Sequence, residues 1–376
     1  MKTKRFLPTA LAAILLASGV HGKTTRVYFG TSQSKGIYFA ELDSSKGALS
    51  KPKLALEIKD PGFLAIHPGK QFIYSTTAGL GDGENGGMAA MKINEDGSLS
   101  LINKQSTRGR GPCHVSVDAT GQCLMAANYG GGSVTSFRIL EDGALSEAQS
   151  FHQHEGTGEH PKRQQGPYAH SIFPNPGNTH AYALDLGIDK IMIYRLDPKA
   201  GTLTESGFTV VPGGSMGPRH MKWSADGKHA YVLNELDSSL SVFKPGKNAG
   251  SMEFIQTLST LPGNTDKEDM AGAEIRIHPN GKFIYASNRD LTEQGRDSIS
   301  VFSRFEDGFQ RMETTPAQVW FPRNFNIDPT GQWMLVGGQK SHDIAIFKVA
   351  PKTGHIEYTG TKLPFDGGPI CIEFLD

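Results

Sequence analysis

From residue 60 onward the chain repeats one pattern: a short apolar run, a turn carrying Gly with Asp, Asn or Pro, and a second apolar run. Pro61-Gly62-Phe63 leads to HPGKQFIYSTT, and Pro112-Cys113-His114 leads to VSVDATGQCLMAANY. Pro167-Tyr168-Ala169-His170 leads to SIFPNPGNTHAYALDLG, and Pro218-Arg219-His220 to MKWSADGKHAYVLNEL. Ala273-Glu274 leads to IRIHPNGKFIYASNR, and Pro322-Arg323-Asn324 to FNIDPTGQWMLVGGQ. Turn residues of this kind between β-type runs specify antiparallel hairpins. A third run follows each hairpin (SVTSFRI, KIMIYRL, SLSVFKP, SISVFSR, DIAIFKV), then a turn such as Glu141-Asp142-Gly143 and a fourth. Helical periodicity is weak throughout.

Four short strands recurring about every fifty residues predict β-propeller blades. A seventh copy opens at Pro369-Ile370-Cys371 and stops at Asp376. Its three missing strands are supplied by Arg26–Thr31, Ile37–Leu42 and Leu54–Ile58. The expected fold is therefore all-β: a seven-bladed propeller over residues 23–376, its ring closed by a blade shared between the two termini.

Residues 1–22 stand apart. Lys2, Lys4 and Arg5 precede an apolar stretch from Leu7 to Ala17, and Val20-His21-Gly22 supplies small residues for cleavage. This predicts a signal peptide, too short to span a bilayer, and a periplasmic or secreted product. Lys+Arg 38 balances Asp+Glu 38 with no basic tract in the mature chain, which argues against a nucleic-acid partner. No other stretch is apolar enough for a membrane. Cys113 and Cys123 lie on two strands of one hairpin, and alternation places Cys113 nearer Ala126. The offset of ~10 Å is beyond disulfide reach, so Cys113, Cys123 and Cys371 are expected to be buried structural thiols.

In an antiparallel hairpin the first and last residues share one end. The openings collect His114, His170, Arg219, His220, Glu274 and Arg323, with Arg276 two residues further along. The endings collect Asn128-Tyr129, Asp185, Asn234-Glu235, Asn288-Arg289 and Gln339. Taken singly these have bland readings: Arg219 with Glu235 as a rim ion pair, each histidine as a strut, the recurrent Asn128, Asn234 and Asn288 as turn caps. His67 and His278 belong to turn motifs and read as structural. Several unlike copies placing charge on one rim is more than packing requires.

Gly-Pro-Cys113-His114, Ala127-Asn128-Tyr129, Ala169-His170-Ser171, Gly217-Pro-Arg219-His220, Asn234-Glu235-Leu236, Glu274-Ile-Arg276, Ser287-Asn288-Arg289 and Pro322-Arg323-Asn324 together resemble the seven-bladed lactonase propellers. That family includes propeller-type 6-phosphogluconolactonases and fungal carboxy-muconate lactonizing enzymes, and the resemblance runs through residues 24–376. It implies a site of one histidine, two or three arginines and a glutamate: His170, Arg219, Glu235 and either Arg276 or Arg289. Tyr168 stands where relatives often have histidine, and Gly337-Gly338-Gln339 where they more often have Ala-Asn-Gln. The leader is unexpected beside a phosphorylated, cytosolic sugar lactone.

Opening a lactone requires a base for the attacking water and cationic donors for the developing oxyanion. His170, Arg219 and Glu235 are the expected catalytic residues, with Glu235 or His170 as base. Arg276, Arg289, Arg323, His114, His220, Asn128, Glu274 and Gln339 are the expected substrate-binding residues, since guanidiniums hold carboxylate or phosphate in bidentate fashion. No cofactor is expected, and an arginine-rich pore repels a divalent cation. The function expected is hydrolysis of a sugar or sugar-acid lactone by a monomer or weak dimer. Two alternatives compete: lactonization of an unsaturated dicarboxylate, and a non-catalytic binding platform. The long loops Gly79–Gly87, Gln153–Gln165 and Leu261–Gly272 are polar and lack the aromatic anchors of a platform.

Overall fold

The computed structural model describes residues 24–78, 80, 85–263, 265–305 and 308–375; the leader at 1–22 and part of the 79–87 loop lie outside them. Among the described residues every regular element is a strand. The strands form seven antiparallel sheets, six of which run in sequence order from inside to outside. Their innermost strands are Leu64–Ile66, Pro112–Val117, Ala169–Pro174, Pro218–Trp223, Met270–Ile277 and Pro322–Ile327. We number these blades 1 to 6.

Blade 7 is built from both termini. Its innermost strand, Gly368–Leu375, pairs with Thr24–Ser32, placing Val27 opposite Phe374 and Gly30 opposite Cys371. Thr24–Ser32 then pairs with Gly36–Asp43, and that strand with Lys53–Glu57. This completes blade 7 and closes the ring, and each innermost strand lies at the end of its sheet with its free edge on the channel.

Blades adhere because both faces of their inner strands are apolar. The second strand of blade 2, Cys123–Asn128, is buried along its whole length. Tyr285 and Val301 of blade 5 pack directly on Phe325 and Phe347 of blade 6. A recurrent latch adds direction to this packing: the hydroxyls of Tyr28, Tyr74, Tyr182 and Tyr285 donate to the carbonyls of Gly97, Gly143, Gly250 and Gly354 in the next blade's outer turn. Gly97, with φ of 92°, lies where side chains are strained, and a Cβ there would overlap the Phe39 ring. His67 and His278 reach the carbonyls of Gly121 and Gly331 at 3.0 and 2.9 Å, so both are blade-to-blade struts.

All three cysteines are free. Cys123 and Cys371 are buried, but Cys113 is only half-buried, which departs from the expectation of three core thiols. Nor does Cys113 sit near Ala126. His114 pairs with Ala127 and Pro112 with Asn128, leaving Cys113 between them as an unpaired extra residue.

Removal of residues 369–376 strips blade 7 of its innermost strand and exposes Val27 and Phe29, both fully buried. The truncated chain is expected to lose at least about 10 °C in Tm or its cooperative transition altogether, measured by circular dichroism. An unchanged melting curve contradicts the shared blade.

Candidate active site

The slip that isolates Cys113 recurs around the ring. His170 falls between the pairs Ala169–Asp185 and Ser171–Leu184, and Arg219 between Pro218–Asn234 and His220–Leu233. Arg323 falls between Pro322–Gly338 and Asn324–Gly337, and Ile370 between Pro369–Thr31 and Cys371–Gly30. A residue inserted into one strand of a pair re-aims its side chain and tightens the local twist. All five inserted residues line one cavity of about 210 Å³ at the upper mouth of the channel. Below them strand alternation resumes. The next tier is His114, Ser171, His220, Glu274 and Asn324, and two residues further come Ser116, Phe173, Lys222, Arg276 and Glu373. The bulges thus sort the channel into three layers.

Beside the upper layer lies Glu235, whose Oε2 pairs with Arg219 Nε at 3.0 Å and Arg289 Nη2 at 2.9 Å. Its Oε1 accepts from Arg163 Nη2 at 2.8 Å. Burial alone raises the pKa of a carboxyl, but Arg289, Arg219, His170 and Arg163 outweigh it and hold Glu235 well below the usual carboxylate range. Arg219, one of the largest fully buried side chains, also donates to the Ala273 carbonyl and lies 3.3 Å from the His220 ring nitrogens. Burial and the neighbouring Arg323 and Arg289 push its pKa down to about 9, against the pull of Glu235 and Glu274, so it stays charged at neutral pH.

His170 is buried beside Arg219, 5.2 Å from the His220 ring and 5.3 Å from the Tyr129 ring. Its Nδ1 lies 4.0 Å from Cys113 Sγ. Burial, with Arg219 and His220 adding, holds its pKa well below the ordinary histidine value. The imidazole is therefore neutral at pH 7, the form that accepts a proton. Burial pushes the Cys113 thiol up to about 11, leaving it protonated. Arg323 lines the cavity, and no carboxylate among the described residues pairs with it.

The other expected binding residues divide among several positions. Arg289 is spent on Glu235 and the Gly272 carbonyl at 2.9 Å, with the Phe321 ring across its face. His220 lines the upper cavity, whereas His114 belongs to the layer beneath and opens to the lower mouth. Glu274 braces that layer: Oε1 lies 3.3 Å from His220 Nδ1 and accepts from the Ile275 N–H, and Oε2 accepts from Asn324. Arg276 corrects the expectation of one shared rim. It sits in the lowest layer, paired with Glu373 at 2.8 Å, because it stands two residues beyond Glu274. Asn128 is likewise placed away from the cavity. It is fully buried inside its blade, donating to Ser133 and Thr135 at 3.1 Å each, and Asn234 repeats the arrangement with Ser239 and Ser241. Gln339 approaches only through Ser32, at 3.4 Å. Asp185 is also internal, holding His154 at 2.6 Å.

Arg163 was not expected. It comes from the loop between blades 2 and 3, where no repeat position flags it. That loop is pinned at one end by His154 on Asp185 and at the other by Gln164, which donates to the Leu186 carbonyl and Asp189 at 2.8 and 2.7 Å. Arg163 then bridges Glu235 and the Tyr129 hydroxyl, straddling the site from above. Among the described residues no three His, Cys, Asp or Glu side chains are grouped to hold a metal ion.

The family profile described as "Lactonase, 7-bladed beta-propeller" matches residues 25–374. The chain belongs to that lactonase family. It is 35% identical over 358 residues to the 6-phosphogluconolactonase of Bacillus subtilis strain 168, spanning 93% of this chain and 97% of that relative. It is 30% identical over 338 residues to a 6-phosphogluconolactonase of Formosa agariphila, spanning 88% and 93%. Among solved structures, the periplasmic gluconolactonase of Pseudomonas aeruginosa superposes with a TM-score of 0.86 at 26% identity, covering 94% of this lactonase and 99% of that chain.

Glu235→Gln leaves three guanidiniums without their anion. The variant is expected to lose about 3 kcal/mol of unfolding free energy in urea titration. Parental stability contradicts a clamping role for this carboxylate.

Proposed function

We propose that this lactonase-family chain hydrolyses a sugar or sugar-acid lactone, with His170 as the base and Glu235 as the anchor of the arginines. The observation that carries this reading is the convergence of a neutral imidazole, a fixed guanidinium and an unpaired one on a single 210 Å³ cavity. That volume suits one sugar ring, and Thr31, Ser32, Thr76 and Asp60 give its wall hydroxyl and carboxylate partners for a polyol. Relatives named for 6-phosphogluconolactone and gluconolactone support the substrate class.

In the reaction His170 takes the proton of a water as its oxygen attacks the lactone carbonyl carbon. Arg219 and Arg323 stabilise the oxyanion, their geometry set before the substrate arrives. Collapse of the tetrahedral intermediate breaks the ring C–O bond, and the His170 imidazolium returns the proton to the leaving alkoxide. Glu235 is a poor base because three guanidiniums already hold its lone pairs. Its work is to keep Arg219 from swinging. Arg323 is also the residue available to a phosphate or carboxylate on the substrate.

His170→Gln is expected to reduce kcat by about 10² to 10⁴ with Tm retained. A base with a pKa well below 6.5 is already deprotonated across the neutral range. Corrected for spontaneous hydrolysis, kcat/KM should thus stay level between about pH 6.5 and 8 and fall only on the acid side. An acid limb inflecting inside that window, with kcat/KM still rising above pH 6.5, contradicts His170 as base. Arg323→Gln should raise KM for the 6-phosphate lactone about tenfold or more while changing the neutral lactone less; an equal effect on both removes the anion-binding role. On the leader pattern we also propose export. N-terminal sequencing of the mature protein is expected to start near residue 23, and a mature chain starting at Met1 contradicts it.

A further inference from the structure

The lower mouth of the channel is a second cavity, of about 460 Å³. The Phe63, His114 and His220 rings form a layer between it and the upper cavity. The Phe63 and His114 centroids are 4.5 Å apart, and those of His114 and His220 5.3 Å. The lower walls are largely apolar, with Phe173, Met221 and Trp223 on one side and Val115 and Phe63 on the other. Lys222, Arg276, Glu373 and Asp118 line this end, with Glu274 in the layer above; Asp118 is held in its own turn by Thr120, Asn178 and the Gln122 and Cys123 N–H groups. Arg276 is spent, paired with Glu373 at 2.8 Å and approached by Glu274 at 3.7 Å.

Lys222 is not spent. Its Nζ lies 4.7 Å from the Phe173 ring centroid, and no carboxylate among the described residues pairs with it. Burial and Arg276 lower its pKa, only partly countered by Glu274 and Glu373, so the ammonium is short of countercharge. A half-buried cation without an acceptor carries a desolvation cost that a bound anion relieves. Glu274 and Glu373 both lie against Arg276, so Lys222 lacks a direct partner although these two cations and two carboxylates balance in sum; one carboxylate supplies that contact, and a second negative charge finds no free cation. The flat aromatic walls call for a flat apolar body.

We infer that the lower mouth is a second ligand site, which binds a small aromatic monocarboxylate with its carboxylate on Lys222 and its ring against Phe173. Nothing in this depends on which residue of the upper cavity is the base, or on whether the upper cavity is catalytic.

Benzoate serves as the probe, with neutral benzamide and dianionic phthalate as comparators, in ligand-observed NMR titrations of the full mature chain. Benzoate is expected to bind saturably below roughly 10 mM and more tightly than either comparator. Lys222→Met is expected to raise the benzoate Kd about tenfold or more, while Arg323→Gln, on the upper cavity, leaves it unchanged. Lys222→Gln gives the same comparison should the Met variant fail to fold. Absence of saturable binding overturns the proposal. So does binding that is lost in Arg323→Gln and kept in the Lys222 variants, since the probe would then occupy the upper cavity.

Discussion

At the head of each of five innermost strands stands one residue that its neighbour cannot pair, and the placement of the site follows from it. Without the slip, strict alternation would send His170 and Arg219 into the interface between blades, where an unpaired imidazole and guanidinium are costly. With the slip, the inserted side chain turns into the channel and the following residue, such as His220 or Asn324, takes the next level down. The ring supplies the convergence: five blades aim one residue each at a single cavity. Closure by the C-terminal strand belongs to the same argument, because it fixes the radius at which the inserted residues meet and adds Ile370 to them.

Bringing so much positive charge together needs an anion, and Glu235 is that anion. It is 5% exposed and binds Arg163, Arg219 and Arg289 through both oxygens. A buried carboxylate in this state is held too far down the pH scale to take a proton from water, but it holds guanidiniums in place at no cost during the reaction. His170, a short way off, feels the same cations, and these together with burial keep its imidazole neutral. Occupancy separates the two roles in the proposed mechanism: three guanidiniums take both oxygens of the carboxylate, whereas the neutral imidazole lines the cavity.

Much of this was legible in the chain because a propeller repeats its errors and its regularities alike. Turn residues and alternation located the strands, and the unfinished seventh copy located the closure. Rim positions followed from the openings and endings of hairpins, which captured His170, Arg219, Glu235 and Arg323. Depth along the channel did not follow. A one-residue bulge is invisible to a period-two reading, so Arg276 was placed on the rim although Glu274 already occupies the layer above it, and Cys113 was assigned to the core although it faces the cavity. Asn128 was misplaced for a related reason: a residue at the end of a strand can point into its own blade as readily as into the channel. Arg163 carried no signal, since it lies in a loop whose position depends on the His154 and Gln164 anchors rather than on the repeat.

The central claim is that the five inserted residues make the upper cavity a lactone site, with His170 facing the attacked carbon and the arginines facing its oxygen. The most direct measurement is a crystal structure with a lactam analogue of the aldonolactone ring. The account predicts the lactam carbonyl oxygen within hydrogen-bond distance of Arg219 and Arg323, with His170 on one face of the ring. An analogue seated instead against Arg276 and Lys222, or bound above with its carbonyl turned away from both Arg219 and Arg323, would contradict it.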